Sequence, residues 1–186
     1  MGLCEHTWFR RVSSTRTCGC TRSPFSMVMA YWTNVLNQKD LNQSVPAAAE
    51  GTYDYAYGGT GNWPFHTAYA ARYGLTAFVT RMYSMRQIEQ WIKVGVPIII
   101  SVAFSNGQLP GEPVKESGGP KLFMRGFTSS GDAISNDPAA STDAEVMIVY
   151  RRSDLETVWQ TGSNGTAYVI YPAGWTTPTT DSLGSW

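Results

Sequence analysis

From Pro24 to Leu36 the apolar side chains Phe25, Val28, Met29, Trp32, Val35 and Leu36 recur at the spacing of one helical face. Ser23 stands where an N-cap belongs and Pro24 suits a first helical position, so the pattern predicts a core helix starting there. Periodicity then lapses in a Tyr/Gly-rich stretch, Gly51 to Gly61, except that Tyr53, Tyr55 and Tyr57 alternate. Those rings are expected to pack a long loop onto the core, with a ligand-stacking surface as the alternative. Asn62 and Gly74 bracket a second helix through Pro64 to Tyr73. Thr76 to Met82 alternates like a strand, and Ser84 with Gln87 forms a capping-box pattern for a helix through Lys93, stopped by Gly95. Val96 to Phe104 is β-prone and apolar on both faces, which predicts a buried central strand.

The second half changes period. A long Gly/Pro loop, Ser105 to Gly119, precedes the apolar run Lys121 to Phe127, a Ser-Ser-Gly-Asp turn, a short run Ala133 to Ser135, and the stop Asn136-Asp137-Pro138. Two such runs around a Gly-Asp turn predict a hairpin. Pro138 cannot donate to a ladder, so Asp137 is expected at the strand tip. Glu145 to Tyr150 reads as a strand, Ser153 and Glu156 as the box of a helix to Gln160, and Thr166 to Tyr171 as a last strand. From Pro172 the chain turns to Thr, Pro, Ser and Gly and is expected to fray. Helices first and then a mostly antiparallel sheet of about four to six strands make an α+β domain. The expected division is an arm (1–23), one domain (24–172) and a tail (173–186).

Composition narrows the classes. At 186 residues, 42% apolar and 13% aromatic, the chain is long enough for one core, and fourteen basic against fourteen acidic residues leave no net field for nucleic acid or anionic membrane. No stretch approaches the roughly 20 apolar residues of a membrane span, and no signal-peptide core is visible in residues 1–25. Cys4, Cys18 and Cys20 all fall in the arm, which gives no disulfide framework. With His6 they offer metal-ligand types, but one-residue gaps do not suit a structural zinc site, so neither metal nor cofactor is expected. Nucleophile-elbow, zincin and EF-hand patterns do not occur.

Four ordered blocks carry a family signal: GTGNWPFHTAYAARYGL (Gly59–Leu75), IEQWIKVGVPIIISVAF (Ile88–Phe104), RGFTSSGDAISNDPAA (Arg125–Ala140) and VYRRSDLETVW (Val149–Trp159). Over roughly residues 26–171 the chain resembles the bacteriocin-processing-type cysteine peptidases, the C39-like family, in its stand-alone bacterial form. That resemblance implies a papain-like fold, a peptide or protein substrate, a secreted or cell-envelope setting, and Cys, His and Asp acting with an upstream Gln. In such chemistry a thiolate attacks a carbonyl and an imidazole activates the thiol and protonates the leaving amine. A carboxylate orients the imidazole and an amide holds the oxyanion.

Carried over position by position, the resemblance places the nucleophile at Cys20, seven residues before Met27, and the acid at Asp137, beside Asn136. The family's His, five residues before its Arg-Gly-Phe, falls on Pro120, which cannot move a proton. No Gln precedes Gln38, and Arg22 stands where the family has Pro. Three readings follow. The chain is a pseudoenzyme that binds a peptide or glycan in the old cleft; or it is a hydrolase with a substitute base, His66; or its first twenty-five residues come from a shifted reading frame, which leaves Pro120 unexplained.

Overall fold

The computed structural model describes residues 23–179 except 57, 61, 62, 106 and 120. Helix α1 (Pro24–Leu36) begins and ends where the apolar period does, with Pro24 in its first turn and left-handed Asn37 closing it. Phe25, Val28, Met29 and Trp32 are buried, while Val35 and Leu36 are only half-buried. A 3-10 turn (Lys39–Leu41) and helix α2 (Val45–Gly51) follow; Ser44 caps α2 by accepting from the Ala47 N–H at 3.3 Å. Helix α3 is Trp63–Ala71, strand β1 Leu75–Arg81, helix α4 Met85–Lys93 and strand β2 Ile98–Ser101. Strands β3 (Lys121–Phe127), β4 (Ala133–Asn136) and β5 (Met147–Tyr150), helix α5 (Arg152–Ser163) and strand β6 (Thr166–Pro172) complete the chain.

The strands form one antiparallel sheet in the order β1-β6-β2-β3-β4-β5. Residues directly opposite in an antiparallel pair share a face. Val79, Tyr168, Ile99 and Phe123 therefore line one face, and Phe78, Val169, Ile98 and Met124 the other. Helix α3 covers the first through His66, whose ring centre lies 6.3 Å from that of Tyr168; α4 covers the second through Trp91, 6.3 Å from Phe78. Because both faces are covered, β2 is buried at every position and carries no polar alternation. The Trp32 indole N–H donates to the Ile170 carbonyl at 2.8 Å and ties α1 to β6.

Two capping boxes expected from sequence do not form. Ser84 and Arg151 occupy the N-cap positions of α4 and α5 without a side-chain hydrogen bond. Gln87 reaches back one residue too far and accepts from the Tyr83 N–H. Glu156 crosses instead to α4 and accepts from the Met85 N–H at 2.7 Å, so α5 supplies the cap that α4 lacks. Arg152 joins the same helices through Glu89, which also pairs with Lys93. Burial acts to raise the Glu89 pKa, but the hydrogen bonds and charges of Lys93 and Arg152 prevail and lower it.

Past β6 the chain is anchored at Trp175, whose indole N–H donates to the Val94 carbonyl at 2.8 Å and whose ring stands edge-on to Trp32 at 5.0 Å. The tyrosine loop departs from expectation. Tyr55 is 91% exposed and, among the described residues, stacks edge-on with Tyr53 alone, so these two rings do not pack the loop down.

Candidate functional site

The hairpin β3–β4 positions the acid. Its turn closes through Thr128 N–H to Asp132 O (2.8 Å) and Gly131 N–H to Thr128 O (3.0 Å), with Gly131 at φ 89°, a conformation that suits glycine. A register shift between Met124 and Gly126 bends β3, and β4 then runs to Asn136. The next residue, Asp137, still donates its N–H to Val146 O at 2.7 Å, and Pro138 ends the ladder.

The Asp137 side chain is 3% exposed and hydrogen-bonded through both oxygens. Oδ1 accepts from the Ala139 N–H at 2.8 Å, closing an Asx turn around Pro138, and Oδ2 accepts from the Tyr150 hydroxyl at 2.8 Å. No imidazole is among these partners. Tyr150 is fully buried at the end of β5, and its phenol is pushed far up, first by burial, then by the Asp137 carboxylate and by Glu112 of the loop after β2. That loop is pinned at its base by paired hydrogen bonds between Phe104 and Ser117, and it buries Leu109. Asn136, beside the acid, accepts from Arg125 Nη1 at 3.3 Å.

His66 lies over β6, packed between Phe25 in the first turn of α1 and Tyr168, at ring distances of 5.4 and 6.3 Å. Strands β2 and β3 separate β6 from β4, about 14 Å of backbone spacing from Tyr168 to Asn136. Cys20 and Pro120 lie outside the described residues, as do Cys4, His6 and Cys18. No cluster of metal-ligating side chains occurs among the described residues.

Two residues of this region were not singled out from sequence. Tyr150 emerges only from the β4–β5 register, which pairs it with Ala133 and brings its hydroxyl to the acid. Lys121 had a visible signal, a lone cation opening an apolar strand beside Pro120.

The Asp137–Tyr150 bond has a measurable consequence. Tyr150→Phe keeps the ring and strips one donor from a buried carboxylate, so a stability loss of about 1.5–3 kcal/mol is expected from urea midpoints. In an Asp137→Asn background the same change should cost less than half as much. Equal costs in both backgrounds would mean that the pair carries no coupling.

Among the described residues, α-helices pack on a single six-stranded antiparallel sheet, and Asp137 ends a hairpin strand before Pro138. The model of the Peptidase_C39 like family matches residues 7–167, and the chain belongs to that family. Among solved structures it is similar to the peptidase domain of Streptococcus ComA, a bi-functional ABC transporter involved in quorum sensing. The identity is 14%, the TM-score 0.53, and the match covers 82% of this chain and 93% of that one. A double glycine motif protease from an AMS/PCAT transporter, solved with its leader peptide, matches at 15% identity over 84% of this chain and 89% of that one, with TM-score 0.47. A protein described as a C39-like peptidase from Bacillus anthracis matches at 15% identity over 82% and 88%, also with TM-score 0.47. No curated protein sequence matches the chain. The fold is the α+β arrangement expected, and among the described residues no helix is long and apolar enough to cross a membrane.

Proposed function

We propose that residues 24–172 form a C39-like domain that holds an extended peptide in the family's cleft and has lost efficient thiol-dependent cleavage. The observation that supports this most directly is the state of the acid. Asp137 gives one oxygen to a buried tyrosine and the other to its own turn, which are structural duties, while the family's imidazole position is Pro120. An acid that orients no base cannot fix a tautomer. Losing the histidine of a comparable triad lowers turnover by about a million-fold, so Cys20 alone would not make an effective hydrolase.

A second reading has one observation in its favour. His66 touches the first turn of α1, the helix that follows Cys20 in the chain. In that reading His66 is the base, unaided by Asp137.

Incubating the purified chain with a pool of fluorogenic peptides separates the two. Any slow hydrolysis is expected to be the same after alkylation of the thiols and in Cys20→Ala. Turnover at an ordinary enzymatic speed that disappears in both Cys20→Ala and His66→Ala would replace the binding reading with the hydrolase.

A further inference from the structure

Lys121 opens β3 one residue after Pro120 and pairs with Ser101 of β2. Its Nζ stands 5.6 Å from the centre of the Tyr168 ring, on the sheet face that also meets His66 and, through it, Phe25. An ammonium, two aromatic rings, an imidazole and the N-terminal turn of α1 therefore form one cluster. The first turn of α1 has no acidic residue, and no carboxylate pairs with Lys121 among the described residues, whereas Lys93 and Arg152 share Glu89.

The side chain of Lys121 is half-buried, and burial alone pushes its pKa below the ordinary lysine range. A face-on ring offsets part of the lost hydration of a cation, but by less than a paired anion does. A lysine that merely lays its stem along an aromatic ring would send its head to bulk water, where no such shift arises.

We propose that Lys121 receives a carboxylate of the bound peptide, either its C-terminus or an acidic side chain. This rests on the peptide-binding reading above and specifies the ligand: an anionic group at the ammonium of Lys121, one residue along the chain from Pro120.

The test uses the full chain with lysine Cε and backbone amides labelled for NMR. The probes are N-acetyl-pentaalanine as the free acid, the same peptide as its C-terminal amide, and an amide variant with a central glutamate. The free acid, the glutamate peptide or both are expected to shift the Lys121 signal and to bind at least about ten times more tightly than the plain amide; whichever does so identifies the source of the carboxylate. That preference should vanish in Lys121→Met, which keeps the stem over Tyr168, and persist in Lys121→Arg. If all three peptides move the Tyr168 and His66 amides with equal affinity, the carboxylate role is overturned and peptide binding stands. If none of them moves any amide, both readings fall.

Discussion

Gly165→Ala is expected to destabilise the domain by about 3 kcal/mol or more, one of the largest effects of any single methyl group in this chain. Gly165 follows α5 at φ +70°, and a Cβ there would lie 2.0 Å from the Met82 carbonyl oxygen. That carbonyl also accepts from Gln160 Nε2 at 2.8 Å, and the Gly165 carbonyl accepts from the Met82 N–H at 2.9 Å, so neither backbone can withdraw. Gly174→Ala isolates the strain from the clash, because Gly174 has φ +77° and nothing within 4 Å of its Cβ. Its loss should stay near 1 kcal/mol, the left-handed penalty alone. Gly162 supplies a test of sign. Within a helix, alanine normally gains about 1 kcal/mol over glycine, yet a Cβ on Gly162 would meet the Ala103 backbone at 2.5 and 2.7 Å. Ser163 Oγ donates to the Ser101 carbonyl at 2.6 Å and holds α5 at that distance. Gly162→Ala should therefore destabilise, and a gain in urea midpoint would show that the helix can slide away from the strand.

These contacts explain why some of the fold was legible in the sequence and some was not. Helix α1 and the β3–β4 hairpin could be read because their signals are local: the apolar period with Pro24, and the Gly131-Asp132 turn between two apolar runs. The central strand was read too long. Val96 and Val102 are buried like the residues between them, but only Ile98 to Ser101 stay in the ladder before the chain leaves to pair Phe104 with Ser117. Helix α2 was missed because Ser44-Val45-Pro46 is a start signal without an apolar period behind it. The two Ser-x-x-Gln/Glu patterns misled for a tertiary reason, since Glu156 serves a different helix from its own. At the site, the strand-tip position of Asp137 follows from Pro138, whereas its hydrogen-bond partner depends on how β5 registers against β4, which no short-range signal decides.

Alkaline pH should unfold this domain steeply. Tyr31, Tyr150 and Tyr168 are 2%, 0% and 1% exposed. Burial pushes the Tyr31 phenol up to about 12, and those of Tyr150 and Tyr168 further still; at Tyr150 the Asp137 carboxylate adds to the effect. An unfolded phenol ionises near pH 10. Each folded pKa is thus raised above its unfolded value, so the native state keeps protons that the unfolded state releases. The resulting stability is fully present below about pH 10 and is lost as pH climbs toward the folded pKa, at about 1.4 kcal/mol per pH unit for each phenol. Three such groups give a slope of about 4 kcal/mol per unit, and Tyr69, raised to about 12 by burial and by its bond with Tyr73, adds to it, enough to exhaust a typical stability of 5–15 kcal/mol within a few units. Tyr31, Tyr150 and Tyr168 should ionise only together with loss of circular dichroism, and Tyr150→Phe should remove about a quarter of the slope. Were Tyr31, Tyr150 and Tyr168 to titrate while the spectrum stayed native, the three rings would be reachable by hydroxide in the folded state, and the closed packing around them would have to be redrawn.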